Sequence, residues 1–259
     1  WDHGMGPERL FTYPADGTAS DGLYMRYPLE LTLRVVSLFS HRRQFWVNPE
    51  LLGTKSPTID DVMERWGAYA MYQQRFERQG EGCRYPQDYR VQGMIMGGTH
   101  NMFPEVPWAL GLDITVGAAC RKDSSETVAA ARAERRIEVR RFLALLLNLS
   151  LLSREDAEAI ERLAGHPAQC ADDLRYAAGE PLWQRFSIAA HKSRAMARCR
   201  FVAVDIVEAM LTPDVINMPG VDGDYPNWLM MLEHPVEDWE QTPLALVFAA
   251  MKPIVAQST

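Results

Sequence analysis

The sequence lacks the features of several common protein classes. Its 259 residues include only four cysteines, Cys83, Cys120, Cys170 and Cys199, and no two are close enough for a CxxC metal or redox pair. The longest apolar run, residues 142–152, contains Asn and Ser and is far shorter than the roughly 20 residues that a membrane span requires. No secretory leader is recognisable. These absences predict a soluble, cytoplasmic protein with reduced thiols and no membrane partner.

Motifs for nucleotide, phosphate and zinc chemistry are also missing. The chain has no GxSxG elbow, no GxxxxGK phosphate loop and no GxGxxG after a strand. Its six histidines show neither HExxH nor paired zinc spacing. The net charge of −7 disfavours a nucleic-acid partner. We therefore expect no metal, no cofactor and no nucleic acid.

Apolar segments alternate with helical patterns along the chain, which predicts an α/β fold with parallel strands. Residues 1–20 are predicted to be a loop. The predicted strands are Phe45–Val47, Tyr69–Phe76, Val91–Met96 and Phe201–Val204. The predicted helices are Pro28–Arg43, Pro57–Trp66 and a long helical region at about 124–200, in which Ser153 begins one helix as a cap.

A dense cluster of arginines lies within the long helical region and alternates with Glu134 and Glu138. Charges three and four residues apart are typical of a solvated helix face. We predict that this whole cluster is exposed: Arg132, Arg135, Arg136, Arg140 and Arg141.

Three short polar segments follow predicted strands or open the chain: Asp2-His3, Glu50, and Thr99–Asn101. Reactive groups of parallel α/β proteins gather at the carboxyl ends of strands. Each segment alone also fits a structural role, because glutamates are mostly exposed and His100 could be a hydrogen-bonded structural histidine. Local pattern alone therefore reaches only an α/β protein with candidate polar sites.

An ordered set of segments carries a family resemblance. The segments are Trp1–His3, Asp21–Pro28, Phe39–Arg42, Val47–Thr54, Arg75–Arg78 with Pro86–Tyr89, Gly98–Pro104, Ile216–Gly220 and Asp224–Leu232. In the same order they resemble Arg-Ile-Asp-His, GAYVRYP, ESHR, VIGEDLGTVP, WFER with PEDYP, STHDLPT, VNLPGT and HPNWRRRL of the amylomaltases. These are (β/α)8-barrel glycoside hydrolases of the α-amylase clan. The resemblance covers nearly the whole chain.

The resemblance implies a fold class and a domain organisation. The fold would be α/β, the C-terminal half of a (β/α)8 TIM-type barrel with a helical insertion. Residues 1–259 would form a partial glycosidase catalytic domain, from about the end of strand 4 to strand 8, with a helical subdomain at about 108–200. Four strands cannot close a cylinder, so self-association through an open sheet edge is a further expectation.

The resemblance also implies a 4-α-glucanotransferase that moves α-1,4-glucan segments by a retaining double displacement. Its substrates would be maltooligosaccharides or starch- and glycogen-type α-glucan. Asp2 would be the nucleophile, Glu50 the acid/base, and position 101, here Asn101, the site of the third carboxylate. A retaining mechanism requires two carboxyl groups about 5–5.5 Å apart. The implied substrate-binding residues are His3, His100, Asn217, Pro219 and Gly220.

Several departures from these motifs favour an alternative. Asn101 replaces a carboxylate, Pro49 and Leu51 flank Glu50 in place of Gly and Asp, and Leu229–Met231 replace arginines. The first half of a barrel has no counterpart in these residues. The alternative function is therefore a non-catalytic glucan-binding relic, or a half-barrel that requires a partner chain.

Overall fold

The computed structural model describes residues 1–51, 56, 58–164, 180–221 and 223–257. Pro57, Cys170, residues 52–54 of the Glu50 motif and residues 165–179 of the predicted helical region lie outside the described residues. The chain divides into two compact units. The first comprises Trp1–Tyr72, Arg90–Met94 and Cys199–Phe201, and the second comprises Gln73–Tyr89, Ile95–Arg198 and Val202–Thr259.

The strands are β1 (Arg9–Thr12), β2 (Leu23–Arg26), β3 (Ala70–Gln73), β4 (Arg78–Gln79), β5 (Gly82–Cys83), β6 (Gly93–Met96) and β7 (Phe201–Val202). The helices are α1 (Leu29–Arg43), α2 (Ile59–Arg65), α3 (Glu105–Leu110), α4 (Leu112–Arg121), α5 (Ser125–Asn148), α6 (Arg154–Leu163), α7 (Glu180–Ala195), α8 (Ile206–Ala209) and α9 (Pro243–Gln257).

The strands form short sheets. β1 and β2 form an antiparallel hairpin with Arg9 opposite Arg26, and β4 pairs with β5 in the same sense. A three-stranded sheet has the order β3-β6-β7. Near β6 and β7, Arg200 N donates to Val91 O and Ala203 N donates to Ile95 O, so these bonds advance along both segments together, as in parallel pairing. The prediction of a mixed α/β fold is confirmed.

Local sequence signals explain where helices α5 and α6 begin. Ser124 precedes α5 and its hydroxyl accepts from the Thr127 amide at 3.2 Å. Ser153 does the same for α6, accepting from the Asp156 amide at 3.0 Å. Such caps satisfy amides that have no partner within the helix. The predicted cap at Ser153 and the predicted helix over α1 are both confirmed.

The core of the second unit is built mainly from helices. Phe142 and Leu146 of α5 are fully buried and join one apolar cluster with Trp108 of α3, Ile160 of α6 and Phe186 of α7. The ring of Phe142 meets those of Trp108 and Phe186 edge to face. Burial of large side chains of this kind supplies most of the favourable free energy of folding. The helices therefore form the main core of the second unit.

Two sequence-based expectations about the first unit are wrong. Residues 1–20 are not all loop, because residues 9–12 form β1. Phe45–Val47 is not a buried strand, since Phe45 is 43% and Trp46 68% exposed. The Trp46 ring instead contacts that of Phe201 in a tilted arrangement, with centroids 4.8 Å apart. An apolar triplet fits a strand pattern, but a strand also needs backbone hydrogen bonds to a neighbouring strand. The Phe45 amide instead donates to Ser40 O, at the end of α1, at 3.2 Å.

The expectation that all the arginines of α5 are solvated is wrong for Arg135. Its side chain is 8% exposed and pairs with both carboxylate oxygens of Asp113, at 2.6 and 2.7 Å. It also donates to the Trp108 carbonyl, and its guanidinium lies 4.9 Å from the Trp108 ring. The reason is tertiary: α5 packs against α4, and Asp113 of that helix neutralises the charge.

Candidate active site

In the first unit, the opening residues lie beside the segment that carries Glu50. The Trp1 nitrogen donates to Asn48 O at 3.0 Å, Glu50 N donates to Trp1 O at 2.8 Å, and Gly4 N donates to Glu50 O at 2.8 Å. The bonds advance along both segments in the same direction, as between parallel neighbours. None of them requires an N–H at Pro49. This register therefore tolerates a proline immediately before Glu50.

The carboxylates of Asp2 and Glu50 meet at one backbone amide. His3 N donates to Asp2 Oδ1 at 2.9 Å and to Glu50 Oε2 at 3.2 Å. Both oxygens contact the same nitrogen, so they lie within about 6 Å of each other. His3 has a left-handed backbone with φ of 43°. Asp2 is exposed and Glu50 is half-buried, so the pair is accessible from solvent.

Gly4 allows the two segments to approach closely. A Cβ atom at this position would lie 2.7 Å from Pro49 Cβ and 2.9 Å from Glu50 O. Both distances are shorter than real side chains accept, so any larger residue would push the segments apart. The absence of a side chain at Gly4 is therefore one reason why Asp2 and Glu50 are close.

In the second unit, the loop after β6 brings His100 and Asn101 to Asn217. Asn217 N donates to His100 O at 2.9 Å. Asn217 Nδ2 donates to Asn101 Oδ1 at 2.6 Å. The side chains of two residues 116 positions apart are thus hydrogen-bonded to each other. In this bond Asn101 Oδ1 is the acceptor and Asn217 Nδ2 the donor. Three of the predicted site residues are brought together here.

Trp228 lies next to this group and is 62% exposed. Its ring contacts that of His100 in a tilted arrangement, with centroids 5.0 Å apart. Its backbone is left-handed, with φ of 62°, and its amide donates to Ile216 O at 2.9 Å. Asn227 holds the turn, since its oxygen accepts from Met218 N and its amide donates to Val221 O, each at 2.7 Å. An exposed aromatic ring held in a strained turn is suited to ligand contact.

The predicted residues Pro219 and Gly220 are exposed on the same loop. Gly220 has φ of 75°, a conformation that favours glycine. Pro219 and Asn101 both line an open cleft of about 490 Å³ in the second unit. Charged and polar side chains of α4 and α5 also line this cleft: Asp113, Arg121, Thr127, Glu134 and Glu138.

A buried ionic cluster, consisting of Glu105, His191, Arg194 and Glu208, lies in the second unit. Arg194 donates to Glu105 Oε1 and to Glu208 Oε1, both at 2.5 Å, and His191 Nε2 lies 3.5 Å from the same oxygen of Glu208. None of the four side chains is more than 3% exposed. Sequence reasoning missed this cluster. The available signal was Glu105 alone among apolar residues, in Phe103–Leu110.

Burial and mutual contact shift the pKa values within the cluster. Burial, reinforced by the Glu208 charge, raises the pKa of Glu105 to about 7 despite Arg194. Burial and the Arg194 charge lower the pKa of His191 to about 4. Burial alone would raise the pKa of Glu208, but Arg194, His191 and Arg75 outweigh it and lower that pKa. The carboxylates thus differ, with Glu208 holding its negative charge more firmly than Glu105.

His191 is expected to make the stability of the protein depend on pH. Its pKa falls from 6.5 to about 4 on folding, so its stabilising contribution is present above pH 6.5 and is lost as pH falls towards 4. The loss amounts to roughly 3 kcal/mol. His191→Gln should remove this part of the acid slope in urea unfolding at pH 7, 6, 5 and 4. The exposed His41→Gln should keep it, and equal slopes in both variants would contradict the assignment.

Metal sites and membrane spans are both missing from the described ranges. No three or more His, Cys, Asp or Glu residues there are placed to hold a metal ion. None of the helices in those ranges is long and apolar enough to cross a membrane.

The fold and the polar residues define the class: a mixed α/β protein with candidate site residues in each of its two units. The sequence profile of the 4-alpha-glucanotransferase family matches residues 1–235. This match covers most of the chain. The chain therefore belongs to the 4-alpha-glucanotransferase family, as the ordered motifs predict.

Curated relatives share this assignment at low identity. The 4-alpha-glucanotransferase of Mycobacterium tuberculosis H37Rv is 26% identical over 239 residues, covering 90% of this chain and 30% of the relative. That of Haemophilus influenzae is 24% identical over 247 residues, covering 91% of this chain and 31% of the relative. The chain thus spans about 30% of the length of the curated relatives it matches.

Solved structures show the same fold. The amylomaltase of Corynebacterium glutamicum matches 96% of this chain and 35% of its own, with a TM-score of 0.79 and 21% sequence identity. The amylomaltase of Streptococcus agalactiae, in complex with acarbose, matches 99% of this chain and 40% of its own, with a TM-score of 0.55 and 14% identity. The chain has a mixed α/β fold similar to that of amylomaltases.

Proposed function

We propose that this chain transfers α-1,4-glucan segments between maltooligosaccharides, as a 4-α-glucanotransferase acting by retaining double displacement. The observation that carries the proposal is the His3 amide, which contacts Asp2 and Glu50 together. Membership of the family supports the same reaction. The reaction needs two carboxyl groups at one sugar, and these two come from parts of the chain 48 residues apart in sequence.

The proposed chemistry uses each carboxyl group twice. Asp2 attacks the anomeric carbon and forms a glycosyl-enzyme, while the protonated Glu50 donates its proton to the departing sugar oxygen. Glu50, now a carboxylate, then takes the proton of an acceptor sugar hydroxyl. That oxygen attacks the anomeric carbon and releases Asp2. One glycosidic bond is broken and one is formed, and the proton returns to Glu50, so the reaction needs no cofactor.

Substrate binding is assigned to His3 in the first unit and to four residues of the second unit. Asn101, in the place of the third carboxylate, contributes a neutral oxygen. The acarbose complex of the Streptococcus agalactiae protein supports a sugar-like ligand for this family. We infer that maltooligosaccharides and longer α-glucans of the starch or glycogen type are the substrates. The four residues are His100, Asn217, Pro219 and Gly220.

We also infer that the chain corresponds to the second half of a (β/α)8 barrel, as one partial catalytic domain with a helical subdomain at about 108–200. Coverage of 35% of the Corynebacterium glutamicum structure supports a partial barrel. A half-barrel leaves strand edges that favour self-association. Sedimentation over a range of protein concentrations distinguishes a self-associating chain from a monomer.

Incubation with maltotriose tests the reaction. Glucose together with maltodextrins longer than maltotriose is expected, because a transferase passes glucan to another sugar instead of to water. Asp2→Asn and Glu50→Gln keep the shape of the side chains, and each should abolish both products. The control is the unmodified chain at high protein concentration, with its fold verified by circular dichroism. If it forms neither product, the catalytic proposal is wrong.

A second candidate function, glucan binding without turnover, is favoured by Asn101. A neutral amide replaces the negative charge that faces the oxocarbenium-like transition state in this reaction. Retention of the chain on an amylose column, together with a lack of products from maltotriose, would select this candidate. The exposed Trp228 beside His100 provides a surface for such binding.

A further inference from the structure

Arg75 contacts both ends of the loop that carries His100 and Asn101. The residue lies in a 3-10 turn, Gln74–Phe76, directly after β3, and its side chain is 2% exposed. Its Nε donates to Gly97 O at 3.1 Å, and its Nη1 donates to Phe103 O at 2.8 Å. One guanidinium therefore bridges the two ends of the segment 97–103.

The start of this segment packs directly on charged atoms. A Cβ at Gly98 would lie 2.6 Å from Nη2 of Arg75. A Cβ at Gly97 would lie 2.3 Å from Glu208 Oε2 and 2.6 Å from Arg194 Nη1. A Cβ at either position would force one of these charged groups to move. The two glycines thus let the backbone approach the guanidinium closely enough for its hydrogen bonds.

The buried charge of Arg75 has compensation nearby. Burial lowers the pKa of Arg75, and the negative charges of Glu208 and Glu105 act against that shift. The guanidinium also lies 5.4 Å from the Trp108 ring. A planar, rigid fork donates in two fixed directions, whereas a lysine ammonium is a point charge on a flexible stem. Lysine at this position could reach one of the two carbonyls but not bridge both.

We propose that Arg75 is the positioning residue of segment 97–103, which it holds in the conformation that brings His100 and Asn101 to Asn217. Its role in glucan binding rests on the proposed function, whereas its role in holding the loop does not. Arg75 acts through the loop backbone. The buried ionic cluster supports the same loop start through Gly97.

Hydrogen exchange of the intact chain, followed by mass spectrometry, tests the proposal with Arg75→Lys. Peptides covering 97–103 and 215–218 should exchange at least tenfold faster than in the unmodified chain, while peptides of α5 keep their protection. Arg135→Lys is the matched control, because Arg135 is also buried and lies against the Trp108 ring but is bonded to Asp113 instead of the loop. It should leave the exchange of 97–103 unchanged.

Calorimetric titration with maltoheptaose is the second test and measures the affinity of each variant for a glucan. Arg75→Lys should weaken binding at least tenfold and Arg135→Lys less than threefold. Unchanged exchange of 97–103 in Arg75→Lys would overturn the positioning role, and so would faster exchange without weaker binding in a chain that binds maltoheptaose. If the unmodified chain binds no maltoheptaose, the proposed function fails, and the exchange data alone decide the role of Arg75.

Gly98→Ala provides a second route if Arg75→Lys does not fold. The added Cβ would displace the Arg75 guanidinium from the backbone at residue 98. This variant should therefore accelerate hydrogen exchange of 97–103, as Arg75→Lys does. Combined with Arg75→Lys, it should add little further acceleration, since both changes break the same contact. Full protection of 97–103 in Gly98→Ala would overturn the proposal.

Discussion

Replacing Asn101 by aspartate is expected to raise the rate of glucan transfer about a hundredfold to a thousandfold, the scale of one preorganised electrostatic group. The oxygen of Asn101 already accepts from Asn217 Nδ2 at 2.6 Å. An aspartate can keep that bond, and under the proposed function it would restore the third carboxylate that the family motif has at this position. The measurement is the initial rate of glucose release from maltotriose, compared between the two chains at equal concentration.

A charge elsewhere in the cleft provides the control for this change. Thr127 lines the same cleft on α5, so Thr127→Asp adds an equal charge at a position to which no role in the reaction is assigned. This variant should leave the transfer rate within about twofold, since an exposed charge is screened by solvent. If Asn101→Asp folds and binds maltoheptaose but its rate does not rise, the assignment of position 101 is wrong.

Replacing Arg194 by methionine is expected to lower the free energy of unfolding by about 3–5 kcal/mol, the cost of removing one partner from a buried ion pair. Arg194 is fully buried and donates to both Glu105 and Glu208 at 2.5 Å. Without it, two buried carboxyl groups lose their main compensating charge. Urea unfolding at pH 7, followed by circular dichroism, measures the difference.

The surface pair of Arg185 and Asp156 is the matched control for Arg194. Arg185 donates to the two oxygens of Asp156 at 2.7 and 2.9 Å, but its side chain is 53% exposed. Arg185→Met should cost no more than about 1 kcal/mol, because solvent screens the pair. Replacing Arg194, Glu105 and Glu208 together by Met, Gln and Gln should recover part of the loss. Equal losses for Arg194→Met and Arg185→Met would contradict the account of the buried cluster.

Local patterns predicted the local features of this structure well. The apolar periodicity from residue 29 predicted α1, and Ser153 predicted the start of α6, because both signals act over a few residues. The same reasoning failed for Phe45–Val47, where strand formation depends on neighbouring backbone. It also failed for Arg135, whose spacing to Glu138 is that of a surface pair although α4 covers it.

The sequence predicted which residues form the candidate site, but not how their side chains are arranged. The ordered motifs named Asp2, Glu50 and Asn101, yet nothing in the motifs predicts that the His3 amide contacts both carboxylates. The comparison with WFER assigned no role to Arg75, which stands at the position of the motif's tryptophan. A buried arginine and an exposed one have the same local sequence signature, because burial is decided by distant residues.

The sequence by itself determined the family, the helix starts and the residues available for chemistry, because these depend on residue identity and on contacts within a few positions. Only the tertiary structure decided which charges are buried and which side chains meet. Asp2 and Glu50, 48 positions apart, both accept from the His3 amide. Asn101 contacts Asn217 across 116 positions, and Arg194 contacts Glu105 across 89. Such pairs form only when packing brings distant segments together, and their electrostatic strength depends on the water that this packing excludes.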